Sequence, residues 1–185
     1  INIIKNLWSH SKTPKRSLAK ETPIEVDKKV FDVNYFGTVA LTKALLPHLI
    51  EKKSGHIAVT SSVVGKFGSP LRSSYSASKH AVHGFFDSLR AELYDDNISV
   101  TIVCPGYVNT NVSLNALNAS GEKTNVMDNA TKNGITAELM AKKYVQAIHK
   151  KKKEIWVGKK ERLAVYIKRF FPSLLAKMVR KANVT

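Results

Sequence analysis

A chain of 185 residues with 43% hydrophobic composition is long enough for one domain with a workable core. Its net charge of +16 is unevenly placed: from Lys142 onward, fourteen Lys or Arg face only Glu154 and Glu161. The single cysteine, Cys104, excludes an internal disulfide and a thiol metal cluster, and no apolar run approaches the roughly 18 residues of a membrane-spanning helix.

Residues 1–15 carry the weakest pattern. Residues 1–4 can close a strand, and a polar, basic stretch then runs through Arg16. Thr22-Pro23-Ile24-Glu25 supplies a cap, a first-turn proline and a Glu three residues after the Thr, which predicts a helix to about Leu49. Its inward side should hold Val30, Phe31, Asn34, Leu41, Ala44 and Leu45, with Pro47 tightening the end. Asn34 is the odd member, because a buried amide needs hydrogen-bond partners. Taken alone, it reads as a satisfied structural Asn.

Residues 56–60 form a short apolar, β-branched run that predicts a buried strand ending at Ser61 and Ser62. Gly65, Gly68 and Pro70 keep the chain irregular until Ser73-Ser74, which can cap a helix to about Tyr94 carrying Val82, Phe85, Phe86, Leu89 and Leu93 as its apolar set. Residues 98–104 predict a second buried strand, broken by Pro105-Gly106, in which Cys104 reads as a small packing residue. Residues 111–135 read as a long loop, whose Val112, Leu114, Leu117, Val126 and Met127 suit either packing or a lipophilic ligand.

Thr136 can cap a helix to about Lys150 that buries Ala137, Ala141, Tyr144, Val145 and Ile148, and residues 154–158 predict a short strand. Beyond it, Leu163, Tyr166, Ile167, Phe170, Phe171, Leu174, Leu175 and Met178 recur at spacings of three and four among Arg162, Lys168, Arg169, Lys177 and Arg180. This basic amphipathic segment, interrupted at Pro172, suits an anionic membrane surface or packing on its own domain with a solvated charged face. No motif with stacking aromatics marks a nucleic acid partner. With no secretory signal pattern, the five Asn-x-Ser/Thr sequons read as chance.

Tyr75 and Lys79 stand four apart, on one helical face. An ammonium beside a phenol favours the phenolate and lowers a pKa that starts near 10. A hydroxyl delivered by the strand end, Ser62, can hold a carbonyl or alcohol oxygen while its proton moves. A bare Tyr-x-x-x-Lys is equally compatible with a surface pair, and the serines with an ordinary strand end.

The longer pattern tips the balance. Ser62, Tyr75 thirteen positions on and Lys79, inside Ser-Ser-Val-Val-Gly and Tyr-Ser-Ala-Ser-Lys, resemble the catalytic segment of the short-chain dehydrogenase/reductases. Asp32-Val-Asn34-Tyr-Phe-Gly37 upstream and Cys104-Pro105-Gly106-Tyr-Val108-Asn-Thr110 downstream stand in that family's order. The likeness runs from about Arg16 to the end, is weakest after residue 150, and is similar to a membrane-associated branch of the family.

The resemblance implies an α/β chain: the C-terminal part of a Rossmann-like, three-layer parallel-sheet fold lacking the first strands. Residues 1–160 would form an incomplete catalytic domain and residues 161–185 a basic amphipathic C-terminal extension. It implies an NAD(P)-dependent oxidoreductase, with NADP slightly favoured over NAD, that interconverts a carbonyl and a secondary alcohol on a lipophilic, lipid- or steroid-like small molecule. Ser62 would orient the substrate oxygen, Tyr75 exchange the proton, Lys79 tune Tyr75 and contact the ribose, and Asn34 hold a water that resupplies protons. Pro105, Gly106, Val108 and Thr110 would meet the nicotinamide end. A homodimer through the two long helices is implied too, with a membrane-associated location, at the endoplasmic reticulum or else in the cytoplasm.

The nine glycines form neither G-x-x-x-G-x-G nor G-x-G-x-x-G, the turn that cradles a pyrophosphate at a helix N-terminus. The adenosine half of the cofactor site is therefore expected to be missing, leaving about the last three strands of the family's sheet. If residues 1–4 are the strand before them, Trp8 fills a position that the family gives to glycine against the cofactor, so residues 1–15 read as altered or foreign. Two functions remain in view: the catalytic portion of an oxidoreductase, or a shortened non-enzymatic relative kept for dimerisation or membrane-surface association.

Overall fold

Three runs of β-branched and apolar residues make the sheet. In the computed structural model, which describes residues 14–181, β1 (Gly55–Thr60), β2 (Ile98–Pro105) and β3 (Glu154–Val157) lie parallel in the order β1-β2-β3. The expectations for residues 1–4 and Trp8 lie outside the described residues. The register runs from Gly55 opposite Ile98 to Thr60 opposite Val103, and from Ile102 opposite Glu154 to Pro105 opposite Val157. Parallel neighbours need crossovers: α3 (Ser73–Glu92) joins β1 to β2, and α5 (Ala137–His149) lies between β2 and β3.

Alternation along β2 divides the core into two layers. Val100, Ile102 and Cys104 face a large cluster with Leu49, Ile57, Val59, Val82, Phe86 and Leu89, while Val103 faces a smaller one with Met140, Tyr144 and Val157. The sheet is thus covered on both sides, as its near-continuous apolar strands require. Cys104 is fully buried, as a packing residue should be.

The helix expected over residues 22–49 exists with one irregularity. It comprises α1 (Ile24–Phe31), a π-helical turn at Asp32–Phe36, and α2 (Gly37–Lys52), which continues through Pro47 and stops where Lys53 takes a left-handed φ of 45°. Val30 and Asn34 are buried as expected, but Leu41 and Ala44 are exposed, and Thr42 and Leu49 are buried in their place. The π turn explains the correction: it holds one residue more than an α turn, so the inward face beyond it advances by one position.

In α5 the sequence expectation holds for Tyr144, which is buried, and Ile148, which is half-buried, but not for the rest. Met140, Tyr144 and Ala147 are buried, whereas Ala137, Ala141 and Val145 face solvent. Tyr144 anchors this orientation by donating its hydroxyl to the Ala58 carbonyl of β1 at 3.1 Å. Thr136 caps the helix as predicted, accepting from Leu139 N at 3.2 Å.

The expected loop at 111–135 contains α4 (Asn129–Lys132), capped by buried Asp128, which also pairs with Arg16. Beside Arg16, fully buried Lys15 donates to Asp27 at 3.3 Å and to Ser73 at 3.0 Å, joining this segment to the start of α3. After β3, Pro172 divides the amphipathic segment into α6 (Leu163–Phe170) and α7 (Pro172–Lys181). Val165 and Leu175 insert into the large core cluster.

Candidate active site

The site is assembled where β1 and β2 end. Beyond Thr60 the chain stays on the sheet for one more bond, Ser61 N to Val103 O at 2.8 Å, and Ser61 Oγ donates to the Lys79 carbonyl at 3.2 Å. Ser62 then caps a short 3-10 turn, Val63–Gly65, accepting from Val64 N at 3.4 Å while its hydroxyl donates to the Pro105 carbonyl at 3.3 Å. One small residue makes this turn fit: a Cβ on Gly65 would stand 2.7 Å from Ser61 Oγ and 2.9 Å from the His83 ring.

α3 brings in Tyr75 and Lys79. The helix begins one residue earlier than the predicted cap: Arg72 occupies the cap position without a side-chain cap bond, and Ser73 instead accepts from Lys15. Tyr75 and Lys79 are both buried, with the Lys79 ammonium 5.9 Å from the Tyr75 ring centre and donating to the Thr60 carbonyl at 3.2 Å. The Ser62 hydroxyl is near enough to the Tyr75 phenol to favour its ionised form, as a hydrogen bond to that oxygen would. Serine, tyrosine and lysine thus converge as the spacing predicted.

Electrostatics depart from expectation in sign. Burial raises the Tyr75 pKa above its ordinary value, outweighing the lowering by the Arg72 charge and the Ser62 hydrogen bond. A phenol in this state is protonated at neutral pH. Arg72, which also lies 5.6 Å over the Tyr107 ring, was overlooked in the sequence although it stands three residues before Tyr75, a spacing that puts both on one side of the first helical turn.

Asn34 is fully buried in the π turn. Its amide donates to Ser78 Oγ at 3.2 Å, and Ser78 Oγ donates to the Tyr75 carbonyl at 2.8 Å, so Asn34 is linked to α3 through one hydroxyl. The bulged turn supplies this reach.

At the end of β2, Pro105 accepts from Ser62, and Gly106 N donates to the Val157 carbonyl at 2.7 Å. Gly106 faces the Glu161 carboxylate, which would have to move aside for a Cβ there. Glu161 Oε1 accepts from Tyr107 N at 3.0 Å and Lys159 N at 3.1 Å. No sequence signal marks Glu161 for this role. Val108 bridges to Ile135, and the Thr110 hydroxyl donates to the Val108 carbonyl at 3.4 Å.

Behind the site, His83 lies between Cys104 Sγ, 3.6 Å from Nε2, and Glu154 Oε2, 3.6 Å from Nδ1. The ligand-type atoms of these three side chains fall within 4.8 Å of one another. Yet the Lys66 ammonium already sits 2.9 Å from the Glu154 carboxylate, and burial pushes the Cys104 thiol far up. The cluster therefore has the character of a packed polar group. Burial, followed by the Lys66 charge, lowers the His83 pKa to about 4.

Residues 12–121, which include Asn34, Ser62, Tyr75, Lys79, Pro105, Gly106, Val108 and Thr110, match the short chain dehydrogenase family profile. The chain belongs to the short-chain dehydrogenase family. The chain is 46% identical over 165 residues to the Dehydrogenase/reductase SDR family member 7B of Mus musculus, covering 89% of this chain and 51% of that protein. It is 49% identical over 160 residues to the protein of that name from Xenopus tropicalis, covering 86% of this chain and 52% of the relative. The chain spans about half the length of these curated relatives.

Among solved structures, the chain superposes with a TM-score of 0.75 and 20% identity on a short chain dehydrogenase/reductase from Burkholderia phymatum in complex with NAD, covering 88% of this chain and 64% of that one. A short chain dehydrogenase from Burkholderia cenocepacia J2315 in complex with NADP gives 0.71 and 23% identity, covering 89% and 66%. These likenesses establish the α/β fold that the sequence predicted.

Proposed function

We propose that this short-chain dehydrogenase provides the catalytic portion of an NAD(P)-dependent oxidoreductase that interconverts a carbonyl and a secondary alcohol. The observation that carries the reading is the buried Tyr75 phenol, with the Ser62 hydroxyl near it and the buried Lys79 ammonium 5.9 Å from its ring centre. A bound nicotinamide would supply the hydride for the substrate carbon in reduction and accept it in oxidation.

In the reductive direction, the Ser62 hydroxyl donates a hydrogen bond to the carbonyl oxygen and fixes its position. Tyr75 releases its proton to that oxygen, so the C=O bond becomes C–OH while the carbon gains two electrons and a hydrogen. The phenolate left behind is stabilised by Lys79 and Arg72, and Asn34 holds a water through which the proton is replaced. The protonated phenol is the form that can donate to a carbonyl oxygen.

Lys79 would contact the ribose, and the backbone from Pro105 to Val108, with Thr110, would hold the nicotinamide end. Beside side-chain-free Gly106 the Tyr107 N–H is a backbone donor that such a group could use, though Glu161 Oε1 takes it here and would have to yield. The resemblance favours NADP slightly over NAD. It also favours a lipophilic substrate, lipid- or steroid-like, compatible with half-buried Val112, Leu114 and Met127 in the long loop. A homodimer through α2 and α3 belongs to the same reading, and α2 leaves Leu41 and Ile50 exposed for it.

The test uses the complete protein that contains this chain, with NADPH or NADH and a panel of apolar ketones, followed by loss of nicotinamide absorbance. Tyr75→Phe is expected to lower kcat by about 10²- to 10⁴-fold while cofactor affinity is retained. An unchanged kcat would show that the proton comes from elsewhere. Absence of both turnover and cofactor binding in the wild type would favour the non-enzymatic alternative.

A further inference from the structure

α6 and α7 are amphipathic twice over. One side of each is committed to the fold, because Val165 and Leu175 are buried in the large core cluster. The helices are therefore held in place and cannot roll to hide their other side. That side presents Leu163, Tyr166, Phe170, Phe171, Leu174 and Met178 to solvent, with Phe170 68% and Phe171 63% exposed. Two adjacent phenylalanines standing in water are costly unless something covers them.

The charges around this face narrow what that something is. Arg162, Lys168, Arg169, Lys177, Arg180 and Lys181 are all exposed along the same two helices. Helical spacing sets Arg162 and Arg169 on either side of Tyr166, Lys177 beside Leu174, and Lys181 beside Met178. Long cationic side chains so placed can extend past an apolar surface to reach polar headgroups. Glu161, the only acidic residue from Lys159 onward, is turned away onto the Tyr107 and Lys159 amides.

We propose that the α6–α7 face lies on an anionic phospholipid bilayer, with Phe170, Phe171, Leu174 and Met178 in the interfacial layer and the basic residues on the lipid headgroups. Other occupants fit less well. A second copy apposed through the same patch would set cation against cation. Residues 1–13 contain Lys5 and Lys12 and no acid, so they offer no complementary charge. The proposal does not depend on the oxidoreductase reading, and it needs no transmembrane span, for no helix among the described residues is long and apolar enough to cross a membrane.

Co-sedimentation of the 185-residue chain with phospholipid vesicles tests it. Vesicles of phosphatidylcholine with roughly 30% phosphatidylserine should bind at least about tenfold more tightly than pure phosphatidylcholine, and binding should weaken severalfold near 0.5 M salt. A triple Phe170→Ser, Phe171→Ser, Leu174→Ser variant, checked by circular dichroism, should lose at least about tenfold. A double Lys168→Glu, Lys177→Glu variant at exposed positions should lose the serine-lipid preference.

Trp156 supplies a local readout, since its ring lies 5.1 Å from that of Tyr166. In a Trp8→Phe background, brominated lipid should quench its fluorescence. Failure to bind the anionic vesicles, undiminished binding by the variants, or sedimentation without quenching would overturn the proposal. So would an oligomer in lipid-free solution that the triple variant dissociates, because a second copy would then cover the face.

Discussion

At Tyr75, burial and charge act in opposite directions on one proton, and burial wins. Removing the opposing charge should widen the difference. Arg72→Leu is expected to raise the phenol pKa further, moving the alkaline fall of reductase activity and the tyrosinate absorbance titration to higher pH. Because the native pKa stands above the unfolded value near 10, the phenol's contribution to stability is complete below that pH and is lost as pH rises through the native pKa. His83 has the opposite sign. With its native pKa lowered from 6.5 to about 4, stability should fall as pH drops from 6.5 towards 4, by roughly 2–3 kcal/mol, and level off below. His83→Gln should flatten that part of the curve in denaturant titrations at fixed pH. The meeting of Ser62, Tyr75 and Lys79 was legible because spacing along a strand end and one helical face determines it. The sign of the Tyr75 shift was not, since desolvation depends on everything packed over the ring, and that comes from distant parts of the chain.

At the scale of elements, the three strands and long helices followed from local pattern, and the errors share one cause. Residues 22–52 have the composition of a single helix, and only tertiary packing of Asn34 against Ser78 reveals the extra residue at Asp32–Phe36. A one-position error in inward facing followed, from Leu41 to Thr42. In α5, Tyr144 was read correctly as buried, but Met140 and Ala147, which share its face, were passed over for Ala137, Ala141 and Val145. Caps were read unevenly: Thr136 caps α5 as predicted, but the cap positions of α1 and α3 fall to Pro23 and Arg72, which make no side-chain cap bond, rather than to Thr22 and Ser73-Ser74. Thr136→Ala should cost about 1 kcal/mol in equilibrium unfolding, because Leu139 N loses its acceptor.

At the scale of the whole molecule, a sheet covered on both faces was foreseeable from parallel strands with helical crossovers, whereas the seating of α6 and α7 was not. A periodicity of three and four marks an apolar surface without saying whether protein or lipid meets it, and here the two helices use both sides. Leu175 is 4% exposed within the main cluster, so Leu175→Ala should destabilise the entire fold by about 2–5 kcal/mol, read as an earlier denaturant midpoint. Exposed Leu174, one residue away, should tolerate the same change with little loss of stability. Between this tail and the chemistry stands a single carboxylate. Glu161, just ahead of α6, clasps the amide that follows Gly106, so the last two helices are leashed to the tip of the central strand. A pull on the tail at whatever surface it rests on would be transmitted along that leash to the same backbone that is assigned to the nicotinamide.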